Sequence, residues 1–208
     1  MSKPVVYGAD YSVYVRIVRL VLAEKGIDYE LVPVDIFAAD GISGWYFDHH
    51  PFGRIPAFEH DGFRLYETSA IARYVDEAFD GPALQPVEVR PRATMNQIIG
   101  LLDAYAYRAM VWDVAVERLE KTAPDEALIA AGLRQARTTL RALSSLKAEG
   151  PWLLGEQLTL ADLHAAPIIG YFVKVAEGRK LLAEFPDIRA WWDRIAQRPS
   201  FSGTKKAG

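Results

Sequence analysis

The 208-residue chain has no cysteine. That removes disulfides, thiolate-bound metals and a cysteine nucleophile at once. An excess of positive charge is also missing: 24 Lys and Arg stand against 27 Asp and Glu, a net charge of −3, so no basic footprint points to nucleic acid or an anionic membrane. Long apolar runs are missing. The longest uncharged one, Ala165 to Val173, falls well short of the ~20 residues that span a bilayer. The start of the chain, Met1 to Tyr7, lacks the apolar region of a signal peptide, and a cytosolic protein is expected. Histidines number four. The adjacent pair His49-His50 has no third ligand at metal spacing, so no metal is expected and both read as solvated loop residues. There is no internal repeat and no low-complexity segment. What remains is ordinary for a soluble globular protein, half hydrophobic and a quarter charged. The length suits one domain or two small ones, each able to bury a core.

Val5-Val6-Tyr7 is a short β-type run ending at Gly8, and Ala9 to Ser12 is a loop. From Val13 to Lys25 the apolar residues Val15, Val18 and Leu22 follow helical spacing, and Gly26 suits the left-handed residue past a helix end. Tyr29 to Val34 reads as a second strand. Strand, helix, strand predicts a right-handed crossover with parallel pairing. The stretch from Phe37 to His49 reads as loop with a weak helix. Ser12 falls at the start of the first helix, as an N-cap serine would. Its hydroxyl can also donate to an anion parked at the same helix end.

The chain is organised around His50-Pro51-Phe52-Gly53-Arg54-Ile55-Pro56-Ala57-Phe58 and the following residues to Ile71. Asp61-Gly62 between alternating apolar runs predicts a tight hairpin. The Ile55-Pro56 bond, just before a strand, is a candidate cis peptide. A cis bond would turn the Ile55 main chain off the ladder toward a ligand. Glu67 and Thr68 begin a helix running to about Phe79, whose free N–H groups can hold a carboxylate. Together these features fit an extended, peptide-like molecule with a carboxylate at one end.

Prolines break the pattern between residues 82 and 91, which reads as a linker. Beyond it only helices are expected. Ile98, Leu101, Leu102, Tyr105, Ala109, Trp112, Val116 and Leu119 form one stripe; Ile129, Leu133, Ala136, Leu140 and Leu143 form another. Thr159-Leu160-Ala161-Asp162 fits a capping box with aspartate in the usual glutamate place, a structural cap. His164 reads as a packed helix residue. Pro186 to Arg198 is the last amphipathic helix, with only one of Trp191 and Trp192 deeply buried. The tail from Gly203 to Gly208 is expected to fray.

Pro-Phe-Gly-x-Ile-Pro-Ala-Phe followed by Leu-Tyr-Glu-Thr-x-Ala-Ile resembles the glutathione-binding half of the cytosolic glutathione S-transferases, most of all bacterial, phi-like, serine-type members. The resemblance runs over essentially the whole chain. It implies a thioredoxin-like α/β domain (βαβ–α–ββα) over 1–81, a linker at 82–91 and an all-helical domain over 92–208. It implies that Ser12 activates the thiol of glutathione, with Tyr7, the tyrosine-type position, as rival and Tyr11 able to cover the thiol. It places Ile55 against the cysteinyl part, beside Arg54 and Pro56, and Glu67 and Thr68 at the γ-glutamyl end. The His-Lys pair that grips the glycyl carboxylate in phi-like relatives is replaced by Gly41-Ile42-Ser43, leaving Trp45, His49 or Arg54 as stand-ins. Tyr11, Tyr105 and Trp112 would line the electrophile pocket, and Phe52 would insert into the partner of a homodimer. Glutathione is the implied cosubstrate and a small hydrophobic electrophile the other reactant. A free thiol has a pKa near 8.5, and lowering it to about 6.5 takes roughly 2.7 kcal/mol of differential stabilisation. A non-catalytic binding or scaffold relative and a glutathione-dependent peroxidase are the alternatives; the missing cysteine argues against the cysteine-type branches.

Overall fold

A computed structural model describes residues 2–204. They divide into two compact units: the chain up to Ala83 together with the stretch from Pro199, and Leu84–Arg198.

The first unit is a four-stranded sheet with helices. Its elements are β1 (Val5–Gly8), α1 (Val13–Lys25), β2 (Glu30–Pro33), β3 (Ala57–His60), β4 (Phe63–Tyr66) and α2 (Thr68–Ala78). Strand order is β2-β1-β3-β4. β1 runs parallel to β2, with Val6 opposite Leu31, and antiparallel to β3, with Val6 opposite Phe58. This is the predicted thioredoxin-like arrangement. Asp61 and Gly62 have φ of 50° and 78°, the positive pair that a two-residue hairpin between right-twisted strands requires. Val6, Ile17, Val21, Phe58, Ile71 and Val75 are fully buried between sheet and helices. Each such side chain contributes about 1.5–3 kcal/mol by leaving water. Gly26 ends α1 at φ 70°. Gly8 lets α1 come close: a Cβ there would lie 2.4 Å from a Val15 methyl.

The sheet's other face carries Tyr7, because successive strand residues alternate sides. The expected weak helix is one short 3₁₀ segment, Gly44–Asp48. It buries Tyr46 completely, with the Tyr46 hydroxyl donating to the Arg54 C=O at 2.6 Å. The solvated reading of the two histidines is corrected here. His50 is 3% exposed, its ring 4.9 Å from that of Tyr66. His49 is half-buried, 4.3 Å from the Tyr7 ring. Trp45 and Tyr46 cover the His49 ring, and Phe52 and Tyr66 cover that of His50.

In the second unit, α3 (Val89–Leu101) begins inside the stretch expected as linker. Pro91 breaks nothing, because N–H groups in a helix's first turn have no intrahelical partner to lose. The helix continues as a π-helix, Leu102–Val116, and ends in α4 (Glu117–Glu120). The Glu117 N–H reaches back five residues to the Trp112 C=O. Ile98, Leu102, Ala109 and Val116 of the first stripe are buried as expected, and the wider pitch shifts the rest of the buried face. Tyr105 and Leu119 are exposed, while Ala106, Met110, Val111, Val114 and Ala115 are buried.

The second stripe is buried as expected along α5 (Glu126–Leu146), with Leu133 half-buried. α6 (Leu160–Phe172) is buried on nearly every side, the mark of a central core helix. His164 on it is buried, 2.7 Å from an Asp103 oxygen. Next come α7 (Ala176–Ala183) and α8 (Pro186–Ile195), where Trp191 is fully buried and Trp192 only partly. α8 is not the last helix. α9 (Pro199–Gly203) follows it. The expected fraying does not begin at Gly203, since Thr204 is buried and hydrogen-bonded to Ser200; residues 205–208 lie outside the described residues. Among the described residues no helix is long and apolar enough to cross a membrane, and no group of three metal-capable side chains occurs.

Candidate active site

Ser12 has extended backbone (φ −74°, ψ 129°) and caps α1, its Oγ accepting the Val15 N–H at 3.3 Å. The Ser12 C=O takes the Arg16 N–H at 3.0 Å. A capping serine uses a lone pair and keeps its proton. Among the described residues no acceptor takes that proton. The first turn of α1 holds no acidic residue, so the positive end of the helix is uncompensated.

The two rival hydroxyls stand differently. The Tyr7 ring packs against Trp45, Tyr46 and His49, with centroids 6.0, 6.5 and 4.3 Å away. Burial first, then the Glu59 charge, pushes its pKa up, which makes it a reluctant phenol. Tyr11 donates to Asp35 Oδ1 at 3.0 Å, and burial together with that bond pushes its pKa up to about 12. Its proton is committed to Asp35, which also accepts the Phe37 N–H at 2.9 Å. No sequence signal marked Asp35, because the contact spans a loop without a motif.

The Ile55-Pro56 bond is cis, as predicted. Ile55 is 7% exposed, and its main-chain groups have no hydrogen-bond partner among the described residues. A Cβ on Gly8 would sit 3.5 Å from the Ile55 Cβ. The end of β1, the first turn of α1 and Ile55 therefore converge. Pro56 is buried and Arg54 exposed. Of the proposed stand-ins for the carboxylate grip, Trp45 and Arg54 are exposed, whereas the His49 Nε2 lies 3.5 Å from Glu59.

Glu67 caps α2 with φ 70° and ψ 110°. L-residues rarely adopt this backbone, and it marks functional sites more often than chance. Its C=O accepts both the Ala70 and Ile71 N–H groups at 3.0 Å, while its side chain is exposed and makes no cap bond. The N–H groups of Thr68 and Ser69 precede those bonds and have no partner in the helix's own ladder. Thr68 is 8% exposed. Phe52 is 70% exposed, its ring 6.4 Å from that of Tyr66. In the helical unit, Tyr105 is exposed and Trp112 half-buried.

The cap at Thr159 is a closed site. Asp162 is fully buried. Its Oδ2 accepts the Thr159 N–H at 2.8 Å and the Thr159 hydroxyl at 3.0 Å. Its Oδ1 accepts the Leu153 N–H and the Trp191 indole N–H, both at 2.8 Å. Leu153 and Trp191 were not legible as partners, since neither lies in the box. Burial pushes the Asp162 pKa up, and the four donors pull it back.

Comparison with known proteins bears on both units. The family model described as Glutathione S-transferase, N-terminal domain matches residues 11–78, and that described as Glutathione S-transferase, C-terminal domain matches 104–199. Glutathione S-transferase F13 of Arabidopsis thaliana is 30% identical over 201 residues, covering 94% of this chain and 91% of that protein. Glutathione S-transferase 3 of Zea mays is 28% identical, covering 97% and 92%. Among solved structures, glutathione S-transferase III in apo form superposes with a TM-score of 0.84 at 30% identity, over 98% of this chain and 95% of that one. A glutathione S-transferase from Methylobacillus flagellatus, solved with GSH bound, gives 0.82 at 25% identity, over 99% and 100%. Both family models match, and the likeness extends over nearly the full length of each relative: the chain belongs to the glutathione S-transferase family.

Proposed function

We propose that the chain binds glutathione along β3 and the start of α2, ionises its thiol beside Ser12, and joins the sulfur to a small hydrophobic electrophile. One observation carries the assignment of Ser12. Its oxygen is engaged by the Val15 N–H, which leaves the hydroxyl proton to donate to sulfur at an uncompensated helix end. The Ile55 main chain then pairs with the cysteinyl unit. The orphan amides of α2 and the Glu67 carboxylate receive the γ-glutamyl carboxylate and amino group, while Arg54 and Pro56 flank that groove. The protein supplies no nucleophile of its own; it sharpens the cosubstrate's and holds the partner beside it. Within the first unit, Tyr11 is assigned to the electrophile side.

The reading extends to a cytoplasmic homodimer. Phe52 is the most exposed aromatic near the β3 loop, a shape suited to an anchor across a two-fold interface. A cytoplasmic setting goes with use of the soluble glutathione pool.

The deciding experiment is conjugation of glutathione to a generic aryl halide by Ser12→Ala and Tyr7→Phe variants. Ser12→Ala loses most of its turnover and Tyr7→Phe keeps it. The opposite order would move the thiol site to Tyr7.

A further inference from the structure

α9 and Thr204 are fastened to α1, the helix that Ser12 caps. Arg16 lies in the first turns of α1, four residues after Ser12, and its N–H is held by the Ser12 C=O at 3.0 Å. Its guanidinium is taken up by α9. Nη2 donates to the Phe201 C=O at 2.7 Å, Nε to the Thr204 hydroxyl at 3.4 Å, and the group lies 3.8 Å over the Phe201 ring. Phe201 and Thr204 are 3% and 4% exposed, so the clamp is nearly dry on that side. Further down α1, the Ser200 hydroxyl donates to the Glu24 carboxylate. Every acceptor of Arg16 is neutral, and no carboxylate pairs with it among the described residues. Burial first, then the charge of Arg19, pulls the Arg16 pKa down to about 10, so it keeps its charge at neutral pH. A half-buried cation with no counter-ion among the described residues is costly to hold. An anion arriving at the start of α1 offsets part of that cost.

We propose that α9 is a positioning element for the reaction: it holds Arg16 so that its positive charge, bonded only to neutral acceptors among the described residues, reinforces the start of α1 and favours the ionised thiol beside Ser12. This rests on the glutathione reading of Ser12. It adds a role for the C-terminal segment, which closes onto the helix used for thiol activation. Arg16 acts at a distance and is a positioning residue, as are Phe201 and Thr204.

The test is the pH profile of the bound thiolate, read by its ultraviolet absorbance, in the full-length protein. Arg16→Met is expected to raise the thiol pKa by about half a unit to one unit, the lower part of the range for a nearby charge. Turnover then falls about three- to ten-fold on the acid side of the profile and recovers at high pH. Arg16→Lys restores most of the loss, because it keeps the charge. Thr204→Val, which removes one anchor without emptying the core, gives a smaller shift in the same direction. Should Arg16→Met melt at a lower temperature but titrate like the parent, α9 is a structural latch only and the proposal is overturned. Ser12→Ala run beside it separates the two readings. If Ser12→Ala leaves the titration unchanged, the site itself is misplaced; if Ser12→Ala shifts it and Arg16→Met does not, only the role of α9 falls.

Discussion

The starts of α1 and α6 use the same kind of residue and end up chemically opposite. Ser12 and Thr159 both cap a helix from extended backbone. At α6 the helix brings its own anion, Asp162, which is fully buried and accepts four hydrogen bonds. At α1 the first turn has no acid, and the cap makes one bond. A helix N-terminus favours negative charge in either case. The difference is who supplies it. The closed start serves stability, and the open start is left for a ligand's charge.

The largest expected effect comes from emptying the closed start. A cap alone is worth about 1–2 kcal/mol, which is the loss that the sequence pattern predicts for Asp162→Ala. The structure raises that figure. The Leu153, Thr159 and Trp191 N–H groups would lose their acceptor in a dry site, at about 1–3 kcal/mol each. We expect Asp162→Ala to lose at least about 3 kcal/mol in chemical denaturation, with turnover per folded molecule little changed. A denaturation midpoint close to the parent's would show that α6 does not depend on its internal anion.

Ser12→Ala is the mirror experiment. It should cost about 1 kcal/mol of stability, a cap's worth. Its turnover should fall about 100-fold at neutral pH, the equivalent of roughly 2.7 kcal/mol of thiolate stabilisation. Comparing both variants in both assays crosses the two starts. If Ser12→Ala were hurt mainly in stability, the two helix ends would be the same device and the comparison would collapse.

Much of this was legible in the sequence because it is local. Asp61-Gly62 predicts its own turn, Ile55-Pro56 its own bond, and Thr159 to Asp162 its own box. Gly8, Val15 and Gly26 place α1 by spacing alone. What was not legible depends on distant partners. Arg16 meets Phe201, Asp162 meets Trp191, and Tyr11 meets Asp35, and no spacing rule predicts such pairs. The first stripe holds at Ile98, Leu102, Ala109 and Val116, which are buried, and loses Tyr105, where the chain winds more widely than 3.6 residues per turn, and Leu119 beyond it. Polarity alone marks His49 and His50 as solvated, and the aromatic cover that Trp45, Tyr46 and Tyr66 provide comes from no local pattern.

Acid should affect the fold as well as the open start, and the two must be separated. Burial holds the His50 pKa below its ordinary value of 6.5, while Glu67 draws it up and Arg54 pushes it down. Its Nδ1 is buried without a partner among the described residues. The unfolded chain therefore binds a proton here before the folded chain does. The stability of the neutral ring is present above the unfolded pKa and is lost as pH falls through the folded one. His50→Phe keeps a ring against Phe52 and Tyr66 and removes the titration. Denaturation midpoints measured either side of pH 6.5 should differ less in that variant than in the parent, while its thiolate titration is unchanged. Equal pH sensitivity in both proteins would assign the acid loss to another group.

Glu67 sharpens the comparison with a third helix start, that of α2, and carries the smallest expected effect. This start is open like α1's, but its opening depends on a backbone at φ 70° and ψ 110°. Such a conformation costs an L-residue about 1–3 kcal/mol. Glycine adopts it freely and loses part of that gain to chain entropy. Glu67→Gly should therefore stabilise the fold by about 0.5–1 kcal/mol. The same change removes the carboxylate proposed to meet the γ-glutamyl amino group, a charge-assisted bond worth about 1.5 kcal/mol or more. The KM for glutathione should rise about tenfold, with less effect on kcat. A gain in stability with unchanged KM would leave the strain real but detach it from glutathione. A loss of stability would mean that side-chain contacts, and not the demands of a ligand, hold Glu67 in that conformation.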